Sequence, residues 1–266
     1  MAIFSNDSLK QKHVLITGAT GGIGYETAKV LAGMGARLTV TGRNEEKLLE
    51  LKRELIPLSG EENIFVKTAD LTDQASREEL VESSAKALGF INGLVNSAGI
   101  GGGGVVEELD EETVERVMDV NFKSTLFLTQ LVYRRMLEQK EGDIVNLSSL
   151  SGLRGTHGNT AYAASKFAVI GWTQSMALEA IEHNIRVNAV CPGYVETEMA
   201  WNSIRKKAEK NGISFEEGMK EAAAAIPSGR ISTTEEVANT IAFLLTDAAR
   251  NIVGESLKIS GGNFMR

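Results

Sequence analysis

Apolar positions along the chain fall into two alternating patterns. Short, nearly continuous runs of β-branched and aliphatic residues occupy 14–16, 37–40, 64–66, 91–95, 144–147, 186–190 and 256–259. Runs that are apolar on successive positions are strands covered on both faces. Between them lie longer stretches whose apolar residues recur three and four apart, the longest at 111–138 and 162–182, and these predict helices. Strands alternating with helices predict βαβ units and a parallel sheet. One segment breaks the rhythm. From 198 to 226 the connection is too long for a plain crossover, and Trp201, Ile204, Ile213, Phe215 and Met219 are scattered among charges. A lid over a pocket has this composition, as does a surface excursion; a lid is the expectation.

Composition narrows the picture. The 266 residues predict one domain over 1–266, since α/β folds reach ~250 residues without division and no linker interrupts the pattern. Glycine is frequent, with 27 residues against 3 prolines, which suits tight turns and close backbone approach. A net charge of −7 with only short basic clusters argues against a nucleic-acid partner. Cys191 is the single cysteine, so paired-cysteine metal sites and an internal disulfide are excluded, and His13, His157 and His183 have no metal spacing. No metal is expected. The start of the chain lacks a basic stretch followed by an apolar core, and no apolar run approaches ~18 residues, so a cytoplasmic protein without membrane contact is predicted.

Chemistry enters with Thr17-Gly-Ala-Thr-Gly-Gly-Ile-Gly24, which follows the first strand and opens a helix. Glycines there let a backbone approach a pyrophosphate, and the helix N-terminus favours its charge. A triphosphatase loop would end in Gly-Lys-Ser/Thr, and here Tyr25 follows Gly24. The second signal is Tyr162-Ala-Ala-Ser-Lys166 on a predicted helix, where positions four apart share a face. Tyrosine ionises near ~10, and a cation within ~4–6 Å lowers that value, so Lys166 is expected to depress Tyr162. Tyr25-Glu-Thr-Ala-Lys29 repeats the spacing behind the glycine turn and is read as a packing tyrosine with a solvated lysine. Context separates the two pairs. The fifth strand delivers Ser148, Ser149 and Ser151 to the carboxyl end of the sheet, and Ser149 precedes Tyr162 by a loop long enough to fold back on the helix. Its hydroxyl can hold a substrate oxygen while the phenol exchanges a proton. There is no Gly-x-Ser-x-Gly elbow for a serine hydrolase.

With these motifs, Asn96-Ser-Ala-Gly99, Asn121 and Cys191-Pro-Gly-Tyr-Val-Glu-Thr197, the whole chain resembles the short-chain dehydrogenase/reductase family. The resemblance implies a single Rossmann-type, doubly wound sheet of seven parallel strands, a nicotinamide cofactor, and hydride transfer at a carbonyl carbon. It implies Tyr162 as acid/base, Lys166 as its activator and ribose ligand, Ser149 as donor to the substrate oxygen, and Asn121 as holder of a water linking Lys166 to solvent. Cofactor contacts would fall on Gly18, Thr20, Gly22, Ile23, Gly24, Asp70, Leu71, Asn96, Ala98 and Gly99. The carboxamide would be held at Pro192, Gly193, Val195 and Thr197. Ser97 departs from the family's second Asn, and Asn96 can also be read as a plain strand-end residue. A homotetramer is expected on the same ground.

Cofactor choice turns on the end of the second strand. Gly42 stands where an acid would select NAD, and Arg43 supplies a guanidinium suited to a 2′-phosphate, so NADP (NADPH) is favoured over NAD. Arg43 can also be a surface arginine at the next helix, which makes the missing acid the stronger half. The resemblance extends to 3-oxoacyl-thioester reductases and aromatic-polyketide ketoreductases, implying a small-molecule ketone that CoA or an acyl carrier protein could carry. Simple alcohols, cyclic ketones and diketones are the alternative, and a non-catalytic NADP sensor belongs to another class that both Tyr162 and Lys166 speak against. Leu153, His157, Tyr194, Met199 and Trp201 are the expected pocket residues. Arg205-Lys-Lys207, Lys210 and Arg134-Arg135 are either contacts for a carrier phosphate or a solvated face.

Overall fold

The computed structural model describes residues 3–265. Seven parallel strands form one sheet: β1 (His13–Ile16), β2 (Arg37–Gly42), β3 (Ile64–Thr68), β4 (Gly93–Asn96), β5 (Gly142–Leu147), β6 (Ile185–Pro192) and β7 (Ser256–Ile259). Their spatial order is β3-β2-β1-β4-β5-β6-β7, so the expected doubly wound architecture is present. Ile91, placed in the fourth strand by its apolar pattern, lies just before it; Asn92 intervenes, donating to the His13 carbonyl and accepting from the His13 amide through its side chain.

Alternation along each strand divides the core between the two faces. Val14 and Ile16 of β1 and Val145 of β5 pack with α1 (Gly22–Gly33), α2 (Glu45–Ser59) and α9 (Thr234–Leu244). Leu15 and Ile144, their neighbours in sequence, face the opposite layer of α3 (Gln74–Leu88), α5 (Ser124–Gln139) and α6 (Thr160–Ile181). The central strands β1, β4 and β6 are buried along their whole length, which is why they read as continuous apolar runs, while the edge strands β3 and β7 are only half-buried.

The helix expected over 111–138 is three pieces. α4 (Glu111–Met118) runs into a π-helical turn at Asp119–Lys123, and α5 continues from it. Apolar spacing alone does not reveal such a turn, because one inserted residue preserves most of the buried stripe. The 198–226 segment forms α7 (Glu198–Asn211) and α8 (Phe215–Ala224), joined through a left-handed Gly212. These helices close on a small apolar cluster of their own, Ile204, Ile226 and Ile231 with Tyr194, Phe215 and Met219. Among the described residues no helix is long and apolar enough to cross a membrane.

Candidate active site

Strand order reverses between β1 and β4, and the crevice beyond the carboxyl ends of such strands is where open α/β sheets bind ligands. The glycine turn occupies one side of it. Gly18 has φ +64°, and a side chain there would stand 2.8 Å from Ala98 Cα and N, so only glycine lets the two loops pack. Thr17, buried beneath, accepts hydrogen bonds from the amides of Ser97 and Ala98 at 3.0 Å. The sequence reading had no role for that hydroxyl, which joins the loops after β1 and β4.

The cradle suits a pyrophosphate. α1, with Gly21 as its N-cap, has no side-chain cap and no acid in its first turn; α6 and α5, which continues the π turn, also lack a side-chain cap, but α1 is the helix that follows the glycine turn. Its leading amides are therefore left for an anion. Gly22 faces the Thr197 methyl, and a Cβ added to Gly22 would meet it at 2.9 Å. Thr197 Oγ1 donates to the Val195 carbonyl at 3.2 Å and accepts from Ala200 N to cap α7. Pro192 ends β6 and Gly193 N donates to Ile259 O at 2.9 Å.

At the far end of the crevice, a Cβ on Gly42 would meet the Thr20 side chain at 3.0 Å, a tight contact that Thr20 would have to give way to. Arg43 is exposed and, among the described residues, makes no ion pair. The exposed Asp70 carboxylate accepts from Thr72 N and Oγ1 at 2.9 and 2.8 Å, and these bonds, with Arg43 and Arg77 nearby, hold it below its usual range. Leu71 beside it packs against the α3 side of the core.

The second constellation adjoins the first. A Cβ on Gly99 would lie 3.2 Å from Asn121 Oδ1 and 3.4 Å from Lys166 Nζ. The path from Gly18 to Ala98 to Gly99 to Lys166 is thus one unbroken set of contacts. Lys166 is 4% exposed, donates to Leu147 O at 2.9 Å, and its ammonium lies 5.7 Å from the centre of the Tyr162 ring. Ser149, in extended backbone, takes an amide bond from Ser151 at 3.1 Å. Ser148 instead turns inward and donates to the Lys166 carbonyl at 3.0 Å, fastening α6 to β5. Asn121 sits in the π turn, a device found often at functional sites. Its side chain accepts from Ile100 N and donates to Ile100 O, both within 3.0 Å.

Electrostatics differ from the sequence expectation at one point. Burial raises the Tyr162 phenol above its ordinary value, while the adjacent Ser149 hydroxyl lowers it. Lys166 does not enter the phenol's balance: its ammonium donates to the Leu147 carbonyl. The same burial draws Lys166 down to about 8. Cys191, beside Ser148 and Lys166, is pushed up to about 11 by burial and is inert as a nucleophile.

Other expectations need amendment. The Asn96 side chain does not face the crevice; it donates to Thr129 Oγ1 and Asn146 Oδ1, both at 2.8 Å, and Asn146 in turn donates to Thr173. This buried chain ties β4 and β5 to α5 and α6. Its sequence signal was a polar residue, Asn146, within an apolar strand. Leu153, half-buried, packs with Ile170, Ala189 and Cys191, and Tyr194 joins the cluster under α7 and α8, where it lines a small cavity with Ile204, Gly218 and Ala222. Met199 is exposed and lies 3.8 Å from the Cβ position of Gly101, whereas His157 is exposed on a loop and Trp201 is half-buried on α7. Arg135 is paired with Glu82, and Arg205 sits over Phe215 and bonds Asn202, so two of the candidate phosphate contacts have partners of their own. No group of three or more metal-ligating side chains occurs among the described residues.

Comparison with known proteins gives the same picture. The family model for short chain dehydrogenase matches residues 12–208. A 3-oxoacyl-[acyl-carrier-protein] reductase of Thermotoga maritima is 38% identical over 254 residues, covering 96% of this chain and 98% of that one. An acetoacetyl-CoA reductase of an Acinetobacter species is 34% identical over 260 residues, covering 96% and 99%. Among solved structures, an actinorhodin polyketide ketoreductase variant with NADPH superposes with a TM-score of 0.91 at 36% identity, covering 96% and 98%. A levodione reductase gives 0.90 at 31% with the same coverage. The fold, the glycine turn and the matched length together place this chain in the short-chain dehydrogenase/reductase family.

Proposed function

We propose that this protein reduces a ketone to a secondary alcohol with NADPH, and that the ketone is a 3-oxoacyl thioester or a polyketide-type β-ketone. The observation that carries the reading is the continuity from Gly18 through Ala98 and Gly99 to Lys166 and Tyr162. That continuity supports a phenol that gives its proton beside a cradle for a dinucleotide. Gly18, Thr20, Gly22, Ile23 and Gly24 would hold the pyrophosphate. Asp70, Leu71 and the backbone of Asn96, Ala98 and Gly99 would border the adenosine and ribose, and Pro192, Gly193, Val195 and Thr197 the carboxamide. The exposed Arg43 and the lack of an acid at Gly42 favour a 2′-phosphate.

When bound, the reduced nicotinamide supplies the hydride. The chain supplies the proton and its control. Burial keeps Tyr162 neutral, so it enters the reaction with a proton to give to the developing alkoxide. Ser149 donates to the same oxygen and fixes its place. Lys166, charged at neutral pH, stabilises the phenolate left behind, and the Asn121 turn provides the carbonyl at which a water can return the proton from solvent. Met199 and Trp201 at the start of α7 would close over the substrate. The relatives named for carrier-bound and CoA-bound 3-oxoacyl groups support the substrate class; similarity to a levodione reductase supports other ketones as a second reading.

The test follows NADPH and NADH oxidation with acetoacetyl thioesters on CoA and on a carrier protein, beside cyclic ketones and diketones. NADPH is expected to be preferred by at least about tenfold, and Arg43→Glu to remove that preference. Failure to reduce any carbonyl with either cofactor overturns the reading.

A further inference from the structure

We infer that Ser165 is a positioning residue, which sets the Asn121 turn against the helix bearing Tyr162 and Lys166. Ser165 is fully buried and lies three residues after Tyr162. Its hydroxyl donates to the Tyr162 carbonyl at 2.7 Å and accepts from Asn121 Nδ2 at 3.0 Å. Asn121, 1% exposed, uses its other amide proton on Ile100 O at 3.0 Å and receives Ile100 N on Oδ1 at 2.8 Å. The hydroxyl thus joins the π turn to the first turn of α6, and the Asn121 side chain extends the link to the loop after β4.

The consequence is mechanical. A π turn interrupts the regular α-helical ladder, and here Ser124 Oγ and Thr125 Oγ1 hold the Val120 and Asn121 carbonyls from within α5 at 2.6 and 3.2 Å. Those bonds fix the turn to its own helix; its placement against α6 needs contacts across the fold. The clamp from Ile100 fixes Asn121 to the loop, but that loop belongs to β4 and not to α6. Phe122 of the turn also packs edge-on against Trp172 of α6, but it is Ser165 that ties the turn to the reacting residue, since its acceptor, the Tyr162 carbonyl, is on the same residue as the phenol. Without the hydroxyl, the buried Asn121 N–H loses its acceptor, and an unsatisfied buried donor is costly enough to drive the turn to a new arrangement.

The kinetic arm of the test rests on the ketone-reductase reading; a hydrogen-exchange arm does not. Ser165→Ala removes the hydroxyl, and Ser165→Cys keeps the volume but hydrogen-bonds weakly. Both variants are expected to speed exchange of the Ile100 amide, measured by NMR, by about tenfold, and to lower kcat by a similar factor. KM for NADPH should stay within about twofold, since the Ser165 hydroxyl bonds Asn121 and the Tyr162 backbone and not the residues that would hold the cofactor's phosphates. The solvent deuterium isotope effect on kcat should rise, because proton return becomes the slower step; a change of overall stability alone would not move it. Unaltered Ile100 exchange and an unaltered isotope effect in both variants would overturn the assignment. So would wild-type behaviour in Ser165→Cys beside a damaged Ser165→Ala, which would make the residue a matter of volume. If Ser165→Ala fails to fold, Ser165→Cys decides. If the wild-type protein reduces no ketone, the proposed function fails while the exchange experiment still judges Ser165.

Discussion

Two tyrosine–lysine pairs with identical spacing lie on helices of this molecule, and their surroundings make them opposites. Tyr25 and Lys29 are on α1, half-buried, on the face that meets α2. The Tyr25 hydroxyl donates to Glu54 Oε1 at 2.7 Å, and Lys29 pairs with Glu54 at 3.4 Å and Glu26 at 3.8 Å. Burial and then the Glu54 bond raise Tyr25 to about 12, with Glu50 and Glu26 adding to the effect. The proton is locked in place. Tyr162 and Lys166 are on α6, and no carboxylate enters the balance around either of them. Burial alone dominates there, keeping the phenol protonated and the ammonium ready to lose its charge near neutrality. Lys29 is thus not merely solvated, as its spacing suggested, but held in an ion-pair cluster. The lesson is that spacing sets which side chains are neighbours, while the partners across the fold decide whether a proton can move.

The sharpest test of that contrast is phenylalanine at each tyrosine. Tyr162→Phe should lower kcat by about 10³-fold and leave NADPH binding intact, whereas Tyr25→Phe should leave turnover unchanged; near-normal activity in Tyr162→Phe would break the comparison. Alanine at the lysines should follow, with Lys166→Ala losing about 10²-fold in kcat/KM and Lys29→Ala losing nothing measurable in steady-state assays.

The pH profile is the next effect in size. Lys166 is drawn down to about 8, so its charge is present below that pH and lost above it. Ketone reduction should therefore decline as pH rises through about 8, and Lys166→Arg, whose guanidinium stays charged, should shift that limb upward or remove it. An unchanged limb in Lys166→Arg would assign it to another group. The smallest effect belongs to the α1 pair. Glu54→Gln should bring Tyr25 back toward ordinary phenol ionisation in an ultraviolet titration, and because Glu54 is half exposed the loss of stability should stay below about 1 kcal/mol.

Much of the site was legible in the sequence because the chemistry there depends on residue type at fixed local spacing. Gly18, Gly22 and Gly24 are needed where a Cβ would collide, and Tyr162 with Lys166 needs only one helical turn to become neighbours. The apolar runs located all seven strands, although Ile91 fell outside the fourth. What could not be read involved partners far apart along the chain. Asn96 turning inward to Asn146, Thr17 bracing the loop after β4, and Ser165 accepting from Asn121 join residues separated by 50, 80 and 44 positions. The π turn escaped for a different reason: a period of 3.6 and a single wide turn leave nearly the same apolar stripe.

By itself the sequence determined the alternation of strand and helix, the glycine turn and the identity of the groups able to carry protons, since these follow from local sterics and side-chain chemistry. Tertiary structure alone decided what surrounds each of the two tyrosine–lysine pairs, a carboxylate cluster at Tyr25 and Lys29 and burial at Tyr162 and Lys166, and that the Tyr162 phenol is raised instead of lowered. Ionisation answers to the whole surrounding volume, through desolvation and through charges brought near by folding, and a linear order of residues does not encode that volume one position at a time.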